Sequence, residues 1–130
     1  MPRELTIGFS PCPNDTYIFY ALVHGKVQIP GITFRERLED VETLNQLALN
    51  GSLDLTKASY HALGHLRNHY ALLRSGGALG RGCGPLIVAK PGTQLSDLRK
   101  GTIAIPGKLT TARLLLGLYD PSLTSVTEMP

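Results

Sequence analysis

At 130 residues the chain is long enough for one ordinary domain with a real core. A hydrophobic fraction of 42% and a charged fraction of 18% exclude an intrinsically disordered chain. The formal net charge of +3, from 13 basic and 10 acidic residues without a basic run, argues against a nucleic-acid partner and suits a small anionic ligand, and no apolar stretch has the length of a membrane span.

The opening Met-Pro-Arg-Glu-Leu leads into a strand pattern without a signal-peptide core, so a cytoplasmic protein is expected. There, Cys12 and Cys83 read as free thiols. Leu5-Thr-Ile-Gly-Phe9 alternates apolar with small or polar residues and predicts a strand. In Ser10-Pro-Cys-Pro-Asn-Asp-Thr16 two prolines stop the ladder, and Asn14 or Asp15 is the expected N-cap of a buried helix over 17–24. Gly25 stands where a left-handed C-terminal cap is needed, and His24 suits the helix's C-terminal end. A turn at the carboxyl end of a strand is where α/β proteins bind ligands, although an ordinary βα connection has the same pattern.

Residues 32–38 predict the next strand, after the Pro30-Gly31 turn. Asp40 is the candidate N-cap of a helix over 41–50 with Val41, Leu44, Leu47 and Ala48 on its apolar face and Gly51 as its stop. A short strand at 53–56, a turn at 57–59, a helix over 60–67 and a strand at 70–73 follow. The alternation predicts a largely parallel sheet covered by helices. Residues 75–84 then hold five glycines in ten positions, and 85–89 predict another strand. Residues 90–94 are the best boundary between two lobes. Beyond them come one helical turn at 95–99 with Ser96 at its start, a strand at 102–105, a polar turn at 106–109, a helix over 110–119 and a strand at 124–127.

Three strand-to-helix turns share a physical character: residues 10–16, 56–59 and 106–111. Each offers hydroxyls, and two offer a lysine, where helix N–H groups are free, which together suit a carboxylate or phosphate. Capping alone accounts for any one of them; three in one chain point to a cleft. The glycine-rich segment is neither a dinucleotide fingerprint nor a phosphate loop, although Gly107-Lys108 resembles the end of one. It reads either as a tight crossover or as backbone approaching a ligand, with Arg81 nearby. His61, His65 and His69 recur every four residues, but there is no acidic partner at the zincin position and neither cysteine has ligand spacing, so no metal is expected. Neither a carboxylate acid/base couple nor a Ser-His-Asp arrangement follows from spacing.

The stretch Ser-Pro-Cys-Pro-Asn-Asp-Thr-Tyr-Ile-Phe-Tyr-Ala-Leu-Val-His-Gly (10–25) resembles the opening of the 1,4-dihydroxy-6-naphthoate synthases, carbon–carbon lyases of the futalosine route to menaquinone. So do Leu38-Glu-Asp-Val-Glu-Thr-Leu-Asn45, Leu55-Thr-Lys-Ala-Ser-Tyr60, Arg74-Ser-Gly-Gly-Ala-Leu-Gly-Arg-Gly82 and Ala104-Ile-Pro-Gly-Lys-Leu-Thr-Thr-Ala112, and the resemblance runs to about residue 119. It implies a periplasmic-binding-protein-like type II fold of α/β class, with three-layer αβα lobes around a cleft and mostly parallel sheets. Residues 1–90 would form most of the first lobe; 91–130 would be the crossing segment and the start of the second. It implies conversion of cyclic dehypoxanthine futalosine, which carries a benzoate-type carboxylate, to 1,4-dihydroxy-6-naphthoate, with no metal and no organic cofactor. By position, Lys57, Ala58 and Ser59 match the family's first substrate-binding segment and Thr110 and Thr111 its second, while Ser10, Asn14 and Asp15 border the cleft.

The family's proton-accepting histidine lies in a segment beyond Pro130, and none of the four histidines here matches it. The chain therefore looks like the N-terminal part of such an enzyme, expected to bind substrate weakly without turning it over. Its uncovered sheet and cleft edges predict marginal stability or self-association into a homo-oligomer. The alternative is a solute-binding protein holding a small carboxylate without catalysis, against which the missing leader argues. A nucleotide-binding domain would rest on glycine content alone.

Overall fold

The computed structural model describes residues 1–129. Its first sheet is built on β1 (Arg3–Phe9), which lies between β2 (Ile32–Leu38) and β3 (Leu55–Thr56) with both pairings parallel. The register runs from Arg3 opposite Ile32 to Phe9 opposite Leu38, and on the other side from Ile7 opposite Leu55. Ile7 and Phe9, two residues apart and so on one face of this central strand, are fully buried. Gly8 between them is forced by packing: a Cβ there would sit 2.7 Å from Leu53 Cδ1 and 2.8 Å from Leu44 Cδ2.

The helices α1 (Pro13–Val23) and α2 (Val41–Leu49) make the crossings of this sheet, and α3 (Tyr60–Leu66) follows β3. Both α1 and α2 end in the same motif. At the end of α1, Lys26 N–H bonds to Ala21 O and Gly25 N–H to Leu22 O, with Gly25 at φ +64°; at the end of α2, Ser52 bonds to Leu47 and Gly51 to Ala48, with Gly51 at φ +65°. Ala48, Ala62 and Leu66 form the apolar contact between α2 and α3, with Ala58, Tyr70 and Leu109 packed against it. Farther along, α4 (Leu95–Leu98) precedes β4 (Ile103–Ile105), α5 (Thr111–Tyr119) and β5 (Val126–Glu128). The last two strands pair in parallel as a separate sheet, over a cluster of Ile105, Leu116 and Leu123. The class is α/β with parallel pairing. No helix among the described residues is long and apolar enough to cross a membrane.

Several expectations are corrected. Helix α1 begins at Pro13 with Cys12 as N-cap, not at Asn14 or Asp15; proline suits the first helical position, where its missing N–H costs nothing. The helix is not buried either: Tyr17 is 86% exposed, and Asp15 is its one buried residue. Phe19 packs on the sheet, with its ring 4.8 Å from that of Phe9. In α2, Val41 faces solvent, and Glu42 and Asn45 are buried in its place. Gln94, not Ser96, caps α4, its N–H donating to Asp97 Oδ2 at 3.0 Å. Residues 70–73 form no strand, because Tyr70 turns inward to donate its hydroxyl to Leu53 O at 2.5 Å. Residues 85–89 are likewise unpaired among the described residues, since a strand pattern yields a strand only where a neighbour supplies the other half of the ladder.

Candidate functional site

The first two polar turns meet through Asp15 and Lys57. Asp15 lies in the first turn of α1, where a carboxylate is favoured, and its Oδ2 accepts from Ser10 N–H at 3.1 Å and Ser10 Oγ at 2.8 Å. Lys57 follows β3, its own N–H donating to Gly8 O at the end of β1. Its Nζ lies 3.3 Å from Asp15 Oδ1 and donates to Gly76 O at 3.2 Å. Two of the three ammonium hydrogens are thus engaged within the protein, leaving one to offer a ligand. Gly76, at φ +77°, is also where the glycine-rich segment touches α1, with Phe19 Cζ 3.6 Å from the place a Cβ would occupy. Arg81 is exposed, as is Asn14, whose side chain takes no part in these bonds.

The second and third turns meet through α2. Asp40 caps that helix, its Oδ1 accepting from Glu42 N–H at 2.9 Å and Thr43 N–H at 3.1 Å, with a further short bond from the Thr43 hydroxyl to Oδ2. These bonds hold the Asp40 carboxyl below its ordinary range, Thr43 contributing most. The capped turn presents Glu42 and Asn45 inward. Asn45, fully buried, accepts from Ser59 N–H at 2.9 Å and donates through Nδ2 to Ser59 Oγ at 3.1 Å and Glu42 Oε2 at 3.4 Å. The same Glu42 Oε2 accepts from Leu109 N–H at 3.1 Å, and Gln46 Nε2 donates to Oε1 at 3.0 Å. A Cβ on Gly107 would fall 2.3 Å from Glu42 Oε2, so only glycine admits this approach.

The third turn is closed by Thr110. Its hydroxyl donates to Gly107 O at 2.7 Å and accepts from Arg113 N–H at 3.4 Å, and the residue is 4% exposed. His61 Nδ1 lies 3.2 Å from Thr110 O, where it can only donate; the ring thus serves the turn, 5.6 Å from that of His65. The Thr111 side chain is half-buried and makes no hydrogen bond among the described residues. Ala58 packs against the Ala48–Ala62–Leu66 cluster.

A continuous run of hydrogen bonds, Ser59–Asn45–Glu42–Leu109, therefore joins residues 57–59 to residues 107–111. Sequence reasoning missed its two central members. The available signal was a pair of polar residues three apart, Glu42 and Asn45, beside an apolar helical face. An open hollow of about 450 Å³ is lined by His61, Lys108, Arg113, Leu114, Leu118 and Val126, and by none of the expected binding residues.

The arrangement can hold a small anion: hydroxyls, one residual lysine donor and two helix starts, set on a buried polar frame. A 1,4-dihydroxy-6-naphthoate synthase of Thermus thermophilus is 60% identical over 118 residues, which are 90% of this chain and 42% of that protein. Another, of Streptomyces coelicolor, is 45% identical over 120 residues, 88% of this chain and 40% of that protein. The chain thus spans about two fifths of the length of the curated relatives it matches. The crystal structure of a structural-genomics target from Archaeoglobus fulgidus is similar with a TM-score of 0.87 at 38% identity, over 98% of this chain and 46% of that one. The family described as menaquinone biosynthesis matches residues 5–130, and to that family the chain belongs.

Proposed function

We propose that this chain carries part of the substrate cleft of a carbon–carbon lyase converting cyclic dehypoxanthine futalosine to 1,4-dihydroxy-6-naphthoate. The likeness to two synthases of that name supports this reading over a solute-binding protein without catalysis. We further propose the periplasmic-binding-protein-like type II architecture, with residues 1–90 in one lobe and 91–130 crossing to and beginning the other. The parallel β2-β1-β3 sheet and the separate β4-β5 pair are in keeping with it. The reaction would run in the cytoplasm without metal or organic cofactor.

The observation that carries the reading is the buried link between the 57–59 and 107–111 turns, since one ligand can be gripped by both only if they are held together. In this reading Lys57, Ser59 and Thr111 bind and orient the substrate carboxylate, and Ala58 and Thr110 shape the turns. Ser10 and Asp15 hold Lys57 in place. A base supplied by the family's histidine segment would take the proton that starts the elimination. This chain would then bind without turning over. Calorimetric titration with 1,4-dihydroxy-6-naphthoate, paired with a turnover assay on the cyclic substrate, tests it: binding without turnover is expected. Absence of binding would refute the cleft assignment, and robust turnover would refute the missing base.

A further inference from the structure

We propose that Glu42 is a positioning residue: it sets the spacing between the two ligand-binding turns by holding the 107–109 backbone against α2. The inference rests on the cleft reading above and adds a residue to it. Glu42 is 9% exposed and sits in the first turn of α2, a place where a carboxylate is stabilised by the helix's free N–H groups. Its two oxygens accept from Leu109 N–H, Asn45 Nδ2 and Gln46 Nε2, three neutral donors. Two of the three belong to α2 itself. The third, Leu109 N–H, comes from a turn distant in sequence, and it immediately precedes Thr110, the N-cap of α5.

The contact is built for closeness. Gly107 leaves no room for a side chain, the Glu42 Oε2 and Cβ atoms standing 2.3 and 2.5 Å from where its Cβ would be. One helical turn along, Asn45 grips both the N–H and the hydroxyl of Ser59. Glu42 and Asn45 also bond to each other, so a single turn of α2 gauges the gap between the start of α3 and the start of α5. Neither Glu42 oxygen needs to touch a ligand for this. Its effect passes through Leu109 to Thr110 and Thr111, and a displacement of about 1 Å at such a site can cost up to about a hundredfold.

The test uses the whole 130-residue chain, its Glu42→Ala, Glu42→Gln and Gly107→Ala variants, and 2-naphthoate as a fluorescent aryl-carboxylate probe. Glutamine keeps an oxygen for Leu109 N–H and turns its amide to Gln46, whose own amide can flip to accept. Glu42→Ala and Gly107→Ala are expected to weaken probe binding about ten- to hundredfold, and Glu42→Gln by less than about threefold. The Leu109 amide resonance should shift in the two weakened variants and stay near its place in Glu42→Gln. If the unchanged chain binds and all three variants bind equally well, the positioning role is overturned while the cleft reading stands. If the unchanged chain does not bind the probe, both fall together. Should Glu42→Ala fail to fold, Gly107→Ala against Glu42→Gln decides by the same measures.

Discussion

Lys57 Nζ stands 3.3 Å from Asp15 Oδ1, with the two side chains 21% and 11% exposed, and the pair ties the turn after β1 to the turn after β3. Neither group is left with a single partner: Ser10 gives Asp15 two donors and Gly76 gives Lys57 a carbonyl. Removing one charge leaves the other half-desolvated, as with any withdrawn ion pair. Lys57→Met and Asp15→Asn are each expected to destabilise by about 1–3 kcal/mol, less than for full burial because some solvent reaches the pair. The double variant should lose at least about 1 kcal/mol less than the sum of the two. Urea unfolding of the four chains completes the cycle, and strict additivity would show that the two charges do not interact.

The adjacent threonines of the third turn should separate by role. Thr110 spends its hydroxyl on Gly107 O and Arg113 N–H and is buried, so Thr110→Val should cost about 1–2 kcal/mol as a lost N-cap. The Thr111 hydroxyl has no protein partner among the described residues, so Thr111→Val should change stability by less than about 0.5 kcal/mol. It should nevertheless weaken aryl-carboxylate binding severalfold if, as proposed above, that hydroxyl donates to the ligand. Melting temperatures and probe titrations measured on the same samples would show this; equal behaviour of the two variants in both would contradict it.

How much of this was legible follows from how local each signal is. The strand at 32–38, the cap at Asp40 and the glycine stops at 25 and 51 depend on neighbours within a turn, and each stands as the sequence implies. The pattern at 85–89 satisfies the same local rules but forms no strand, because pairing is a property of two segments. The start of α1 was misread by a few residues: Pro13 can end a strand or begin a helix, and only the Asp15–Lys57 pair shows why Asp15 is drawn inside rather than used as a cap. The candidate turns were visible as hydroxyl- and lysine-rich helix starts. The residues that hold two of them together were not, since Glu42 and Asn45 look like ordinary polar positions until Leu109 and Ser59 are brought to them.

Residues 85–88 leave an apolar surface that should show in solution. Leu86 and Val88 are 84% and 87% exposed on an unpaired segment, whose free N–H and C=O groups can template pairing with another copy. Concentration-dependent self-association is expected by sedimentation velocity, and replacing both residues with lysine should reduce it. A wild-type chain that stays monomeric over a wide concentration range would sink this expectation.

Asp40 gives a pH dependence whose sign can be worked out. Bonds from Thr43 and Glu42 lower its carboxyl from the ordinary 3.8, so between the folded and unfolded values the unfolded chain binds the extra proton. The stabilisation is complete above 3.8 and is lost as pH falls through the lower, folded value. Asp120 is shifted the same way, chiefly by Ser122 and then by Arg99, and contributes equally to wild type and to an Asp40 variant. The difference between those two chains therefore isolates Asp40. Asp40→Ala should cost about 1 kcal/mol at neutral pH, as the loss of an N-cap. That gap should narrow once the pH drops below 3.8, whereas Asp40→Asn, which still caps but cannot ionise, should lose only Asp40's share of the acid dependence and retain most of the stability. Urea midpoints measured from neutral to acid pH supply the comparison, and a gap that stays constant throughout would show that the Asp40 charge plays no part in capping α2.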